Sequence, residues 1–178
     1  ARDLAISNTM RNLFGFFGVF TWAFAATTNT MVSNIIGQGM EDKVMMLIKK
    51  IMRISVSVGI CVFLLLNLFP SLFLSIYGQD EEFIREALPV LRVVSSALVM
   101  MSFSTIWLNA VTGTGSTRTN LKIEAITLVA YCTYSYLVLE VYQLSIVIGW
   151  MSEWIYWGFI FTLSYYFIKS GKWKGRKI

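Results

Sequence analysis

The chain has 178 residues, 56% of them hydrophobic and 14% charged, against roughly 45–50% apolar and 25% charged in soluble domains. This excludes an ordinary water-soluble fold and points to an all-α, polytopic bundle of transmembrane helices with lipid as its solvent. The net charge of +5 lies in short clusters between apolar runs and at the C-terminal end, which reads as membrane topology and not as a nucleic-acid surface.

About 20 mostly apolar residues cross the hydrocarbon of a bilayer, and five stretches meet that length. The first is expected at residues 13–36, with Gly15, Gly18 and a small polar patch from Ala25 to Thr30 in its second half. The second, 54–77, carries Asn67 and Pro70, and the third, 87–111, has Pro89 in its opening turn, where a missing N–H costs least. The fourth is expected at 123–139 and the fifth at 144–168, followed by a basic tail at 169–178. Two glycine-rich turns, one around Gly37 and Gly39 and one around Gly113 and Gly115, read as helix connections, because neither has the spacing of a phosphate loop.

Lys and Arg mark the cytoplasmic ends of spans. Lys43, Lys49, Lys50 and Arg53 flank the first connection, Arg118 and Lys122 the third, and Lys169, Lys172, Lys174, Arg176 and Lys177 the tail. Of the alternate connections, Gln79 to Glu82 is acidic with only Arg85 beside it, and Glu140 to Gln143 contains no basic residue. This predicts a multi-pass protein of the cell membrane with its C-terminus in the cytoplasm and Ala1 outside. With no export signal in view, at least one further helix is expected upstream. Tyr77, Trp107, Tyr142, Trp150 and Trp173 are candidate interfacial anchors, and Cys61 and Cys132 are expected as buried small hydrophobes.

An ionisable group inside a span marks a candidate functional site. Glu153 lies about nine residues into the fifth span, roughly 13 Å from its edge, and is the candidate for proton or cation coupling; a hydrogen bond between helices is its alternative use. Arg92 is expected to snorkel outward, and Glu124 to complement a helix N-terminus. Thr27, Asn29, Thr30, Ser33 and Asn34 of the first span and Asn109 of the third are candidate cavity-lining residues, with helix–helix hydrogen bonding as the alternative. Met45, Met46, Met52, Met100 and Met101 suit either an adaptable ligand surface or core filling. With no histidine and scattered acids, the chain offers no triad, metal cluster or catalytic carboxylate pair, and an enzyme is not expected.

Two stretches, TTNTMVSNIIGQGMEDKV closing the first span and NAVTGTGSTRTNLKIE following the third, resemble the multidrug and toxic compound extrusion (MATE) transporters in spacing and order. The intervening SLFLSIYGQDEEFIREALPVLRVVSSAL is similar to an outer loop of that family. The resemblance implies helices eight to twelve of a twelve-helix, two-lobe transporter, with the N-terminal lobe of the same chain as partner. It also implies an antiporter exporting cationic or amphipathic organic compounds against sodium ions or protons, with no other cofactor. The acidic residue that some members carry in helix ten has no counterpart within residues 87–111, and Glu153 is not a family position. A related lipid-linked sugar flippase, and a non-transporting membrane subunit or anchor, are the alternative functions.

Overall fold

The computed structural model describes residues 2–77 and 80–175. Ala1, Gln79, Arg176 and Lys177, all used in the topology argument, lie outside the described residues. The helices in chain order are α1 (Arg2–Gly37), α2 (Val44–Leu68), α3 (Pro70–Ser75), α4 (Glu81–Gly113), α5 (Thr117–Tyr136), α6 (Ile146–Trp150) and α7 (Ser152–Lys169). A 3-10 turn at Glu41–Lys43 leads into α2, and a π turn at Leu137–Val141 closes α5. No strand occurs among the described residues.

Four stretches are long and apolar enough to cross a membrane: Glu41–Leu68, Glu81–Gly113, Thr117–Val141 and Ile146–Lys169. The first expected span is not among these four. Its helix is long, at 36 residues, but the apolar run from Leu13 gives way to polar residues at 27–34.

Helix ends differ from the expected spans for local reasons. Polar residues outside an apolar run still form helix, so α4 begins at Glu81, where the Asp80 carboxylate accepts from the Phe83 amide at 2.8 Å and Glu81 and Glu82 fill the first turn. Pro89 therefore lies in the helix interior and not in its opening turn. The second span is broken instead of continuous: Phe69 leaves helical geometry (φ −126°, ψ 50°) because the α region is disfavoured before proline, and Pro70 opens α3. The fifth span is likewise two helices, meeting at Met151, whose amide closes a tight bond to the Ile148 carbonyl at 3.2 Å. The Gly39 turn is a helix stop: Met40 N–H bonds Ile35 O, Gly39 N–H bonds Ile36 O, and Gly39 takes φ +74°.

Helix α4 is the hub. It packs against α1, α2 and α7, and it is the most buried of the four span candidates. Small groups bring the backbones close, as expected where lipid gives helices no hydrophobic reason to associate. Ser55 Oγ donates to Ser102 O at 2.7 Å opposite Gly59, and Ser33 Oγ donates to Gly113 O at 2.9 Å. Two cores result. One gathers Met10, Phe17, Leu66, Phe83, Leu91 and Met101; the other gathers Val32, Ile48, Trp107, Ile123, Ile160 and Trp173.

Polar contacts tie the elements together at both ends of the bundle. At one end, Arg2 forms ion pairs with Asp80 (3.0 Å), Glu82 (3.1 Å) and Glu86 (2.9 Å), fastening α1 to α4. At the other, the tail folds under the bundle: Trp173 is buried, its indole N–H donates to Ile168 O at 2.8 Å, and the Gly175 amide donates to the Glu41 carboxylate at 3.1 Å. The Arg2 cluster is exposed, so salt should screen it. Raising salt from about 0.1 M to about 1 M is expected to speed amide exchange in the first turns of α1 and leave α4 unchanged. Equal exchange at both salt levels would count against the cluster as a fastening.

Two expectations about surface and interior are corrected. Trp107 and Trp173 are 2% and 3% exposed, so they are core residues and not interfacial anchors. Cys61 and Cys132 are exposed and not buried. The reason is common to all: in lipid an apolar side chain is as stable on the outside as inside, so apolar character does not report burial. The methionines also divide, Met101 being fully buried against Gly18 and Met46 exposed. Arg92 is exposed on α4.

Candidate functional site

Glu153 sits in the first turn of α7, just past the Met151 junction. It is half-buried, and Trp157 Nε1, one turn on, donates to its Oε2 at 3.0 Å. No Lys or Arg pairs with it among the described residues. It opens onto a cavity of about 600 Å³ between the start of α1, the end of α5, and α6, a size within the range of small-molecule sites. Phe14, Tyr131 and Trp150 supply aromatic walls, Ser7, Ser135 and Ser152 hydroxyls, and Asp3 and Arg11 charge.

Local packing holds this cavity in shape. Tyr134 Oη donates to Ile148 O at 2.9 Å, and Leu139 packs against Gly149, fixing α6 on α5. Trp154 Nε1 donates to Ser96 Oγ at 2.9 Å, and Ser104 Oγ lies 2.9 Å from Trp157 O, fixing α7 on α4. A carboxylate with aromatic faces around it attracts an organic cation through charge and through the negative ring faces.

The other sequence candidates lie elsewhere. Thr27, Thr30 and Asn34 are exposed on α1, and the two threonine hydroxyls bond back to Ala23 O and Ala26 O of their own helix. Asn29 is half-buried where its carbonyl passes Gly113, and Ser33 bonds Gly113 O. Asn109 is half-buried on α4, its amide donating to Thr105 O at 3.0 Å. None of these six lines the cavity around Glu153. Sequence reading missed Asp3, Arg11, Tyr131 and Trp150, which come from elements far apart in the chain and had no shared spacing to expose them.

A second polar group lies along the α4–α5–α7 seam. Thr112 Oγ1 donates to Asn120 Oδ1 at 3.1 Å, and Asn120 Nδ2 donates to Glu124 Oε1 at 2.9 Å. The expectation that Glu124 complements a helix N-terminus is corrected here: α5 starts at Thr117, so Glu124 stands about two turns in, past the reach of that effect. Among the described residues, no group of three or more His, Cys, Asp or Glu side chains forms a metal-ligand cluster.

The described residues define a polytopic helical membrane protein with a small-molecule-sized cavity at a helix junction. A family model described as MatE matches residues 1–137. The chain belongs to the MatE family, whose members are membrane transporters. No curated protein and no solved structure matches the chain.

Proposed function

We propose that this chain forms the C-terminal lobe of an ion-coupled antiporter that exports cationic or amphipathic organic compounds in exchange for sodium ions or protons. The observation that supports it is the cavity beside Glu153, which combines a carboxylate that is not ion-paired among the described residues, aromatic walls and a volume suited to a small organic cation. In this reading the lobe works with a second, N-terminal lobe of the same protein, and rocking of the two exposes the cavity alternately. The exposed face of α1 bearing Thr27, Thr30 and Asn34 then lines the passage between lobes. In this reading the basic residues near the 3-10 turn, the start of α5 and the tail support a cytoplasmic position for that end and for the C-terminus, in the cell membrane.

The test uses the complete transporter in everted vesicles, with efflux of a cationic dye driven by a sodium or a proton gradient. Glu153→Gln keeps size and most hydrogen bonding but removes the charge, and is expected to lower gradient-driven efflux about tenfold, the effect of about 1.4 kcal/mol. Wild-type efflux in Glu153→Gln would remove that residue from the mechanism. A protein that moves lipid-linked oligosaccharide and no dye would be a flippase, and one that forms a stable complex but carries no flux would be a membrane subunit.

A further inference from the structure

We infer that the exposed face of α2 holds an anionic phospholipid, its headgroup phosphate on Lys49, Lys50 and Arg53 and its acyl chains on the apolar track that continues along the same face. The site shares no lining residue with the Glu153 cavity, and the inference does not depend on what the chain transports.

Spacing brings the cations together. Met46, Lys49, Lys50 and Arg53 stand at i, i+3, i+4 and i+7, so they share one face of α2, and all four are exposed. The opposite face, with Val44, Ile48, Ile51 and Ser55, is buried in the bundle. The basic face borders a recess of about 590 Å³, which Met45 and Asp42 also line. Three positive charges therefore meet one negative charge there.

These three cations are not engaged by the protein itself. Arg2 lies on three carboxylates, Lys43 reaches Met40 Sδ, and Lys169 and Lys174 lie over the rings of Tyr165 and Trp173. The side chains of Lys49, Lys50 and Arg53 form no ion pair, hydrogen bond or ring contact among the described residues.

Depth decides what kind of anion they meet. The apolar stretch that contains α2 runs from Glu41 to Leu68, 28 residues, whereas roughly 20 residues cross the hydrocarbon. Counted back from Leu68, that length ends at about Lys49, so the basic group lies at the boundary between acyl chains and headgroups. Past it the same face carries Ile54, Cys61, Leu64 and Leu68, all exposed. A soluble phosphate would meet the cations and leave this track unused. A zwitterionic lipid would cover the track but bring its own ammonium to the cations. An anionic lipid such as phosphatidylglycerol satisfies both, as basic pockets at the membrane surface do for anionic headgroups, and its glycerol hydroxyls can donate to Asp42.

The experiment is native mass spectrometry of the complete transporter in detergent, titrated with phosphatidylglycerol or with phosphatidylcholine of the same acyl chains. The wild type is expected to retain one phosphatidylglycerol more tightly than any phosphatidylcholine. Each Lys or Arg near the surface is worth about fivefold, or about 1 kcal/mol, so Lys49→Gln/Lys50→Gln/Arg53→Gln should weaken that lipid about a hundredfold. Arg118→Gln/Lys122→Gln/Lys172→Gln removes as much charge outside the recess and should leave it bound. Equal retention of the two lipids, wild-type affinity in the recess variant, or equal loss in both triple variants would each overturn the site. Displacement of the lipid by glycerol 3-phosphate would assign the cations to a soluble phosphate ester and overturn it too. If the recess variant does not fold, the three single variants decide, each expected to bind about fivefold more weakly and overturning the site if all three bind like the wild type.

Discussion

Gly113→Leu is expected to leave little correctly folded protein. Helix α4 ends against α1, and a Cβ at position 113 would stand 2.7 Å from the Asn29 carbonyl oxygen and 2.9 Å from Val32 Cβ. A flexible side chain can swing away from such a clash, but a backbone oxygen cannot, so the two helices must separate. Separation would also break the Ser33 bond to Gly113 O and loosen the core around Val32 and Val111. Overpacking of this kind costs about 1–3 kcal/mol and more when backbone must move. Gly113→Ala should fall in that range and Gly113→Leu beyond it. The measurement is the monodisperse fraction on gel filtration in detergent together with Tm; a Leu variant that elutes and melts like the wild type would sink the close-approach argument.

Trp107→Ala should be the most damaging truncation in the core it shares with Val32 and Ile160. The side chain is 2% exposed, its ring meets Phe161 and Tyr165 edge to face at 6.2 and 5.0 Å, and its N–H points to Met52 Sδ at 3.2 Å. Removing a buried Trp costs about 3–5 kcal/mol in water-soluble proteins. In lipid the transfer part of that cost shrinks, because the unfolded helix also sits in an apolar medium. The lost packing remains, so about 3 kcal/mol is expected. Trp107→Phe should recover most of it, forfeiting chiefly the sulfur contact. Thermal unfolding in detergent separates the two, and an Ala variant within a degree or two of the wild type would show that the core closes over the gap.

Both sites illustrate what could be read before the fold. The Gly39 and Gly115 turns were legible because positive φ leaves few alternatives to glycine, and both turns do carry it. Glu153 was legible because a carboxyl is conspicuous in an apolar run. Which face of each helix packs inward was not, since lipid-facing and protein-facing residues draw on the same alphabet; hence Cys61 fell on the outside and Trp107 inside. The break at Phe69 had its cue in Pro70, whereas the junction at Met151 has no proline and only Gly149, inside α6, near it. Glu124 was misplaced for a simpler reason: the apolar run begins later than the helix that bears it.

The hub position of α4 also bears on how the protein is made. Chains leave the ribosome at about 5–20 residues per second, so α4 enters the membrane and waits on the order of seconds before α7, which covers it, has been synthesised. During that interval Ser104 has no α7 to meet. Its hydroxyl is not stranded, because it also lies 2.7 Å from Met100 O in its own helix. The same group is thus satisfied in the newly inserted helix and again, against Trp157 O, once the last helix arrives. Back-bonded serines and threonines along α4 let a nascent hub persist in lipid without exposing a naked donor to the translocation machinery.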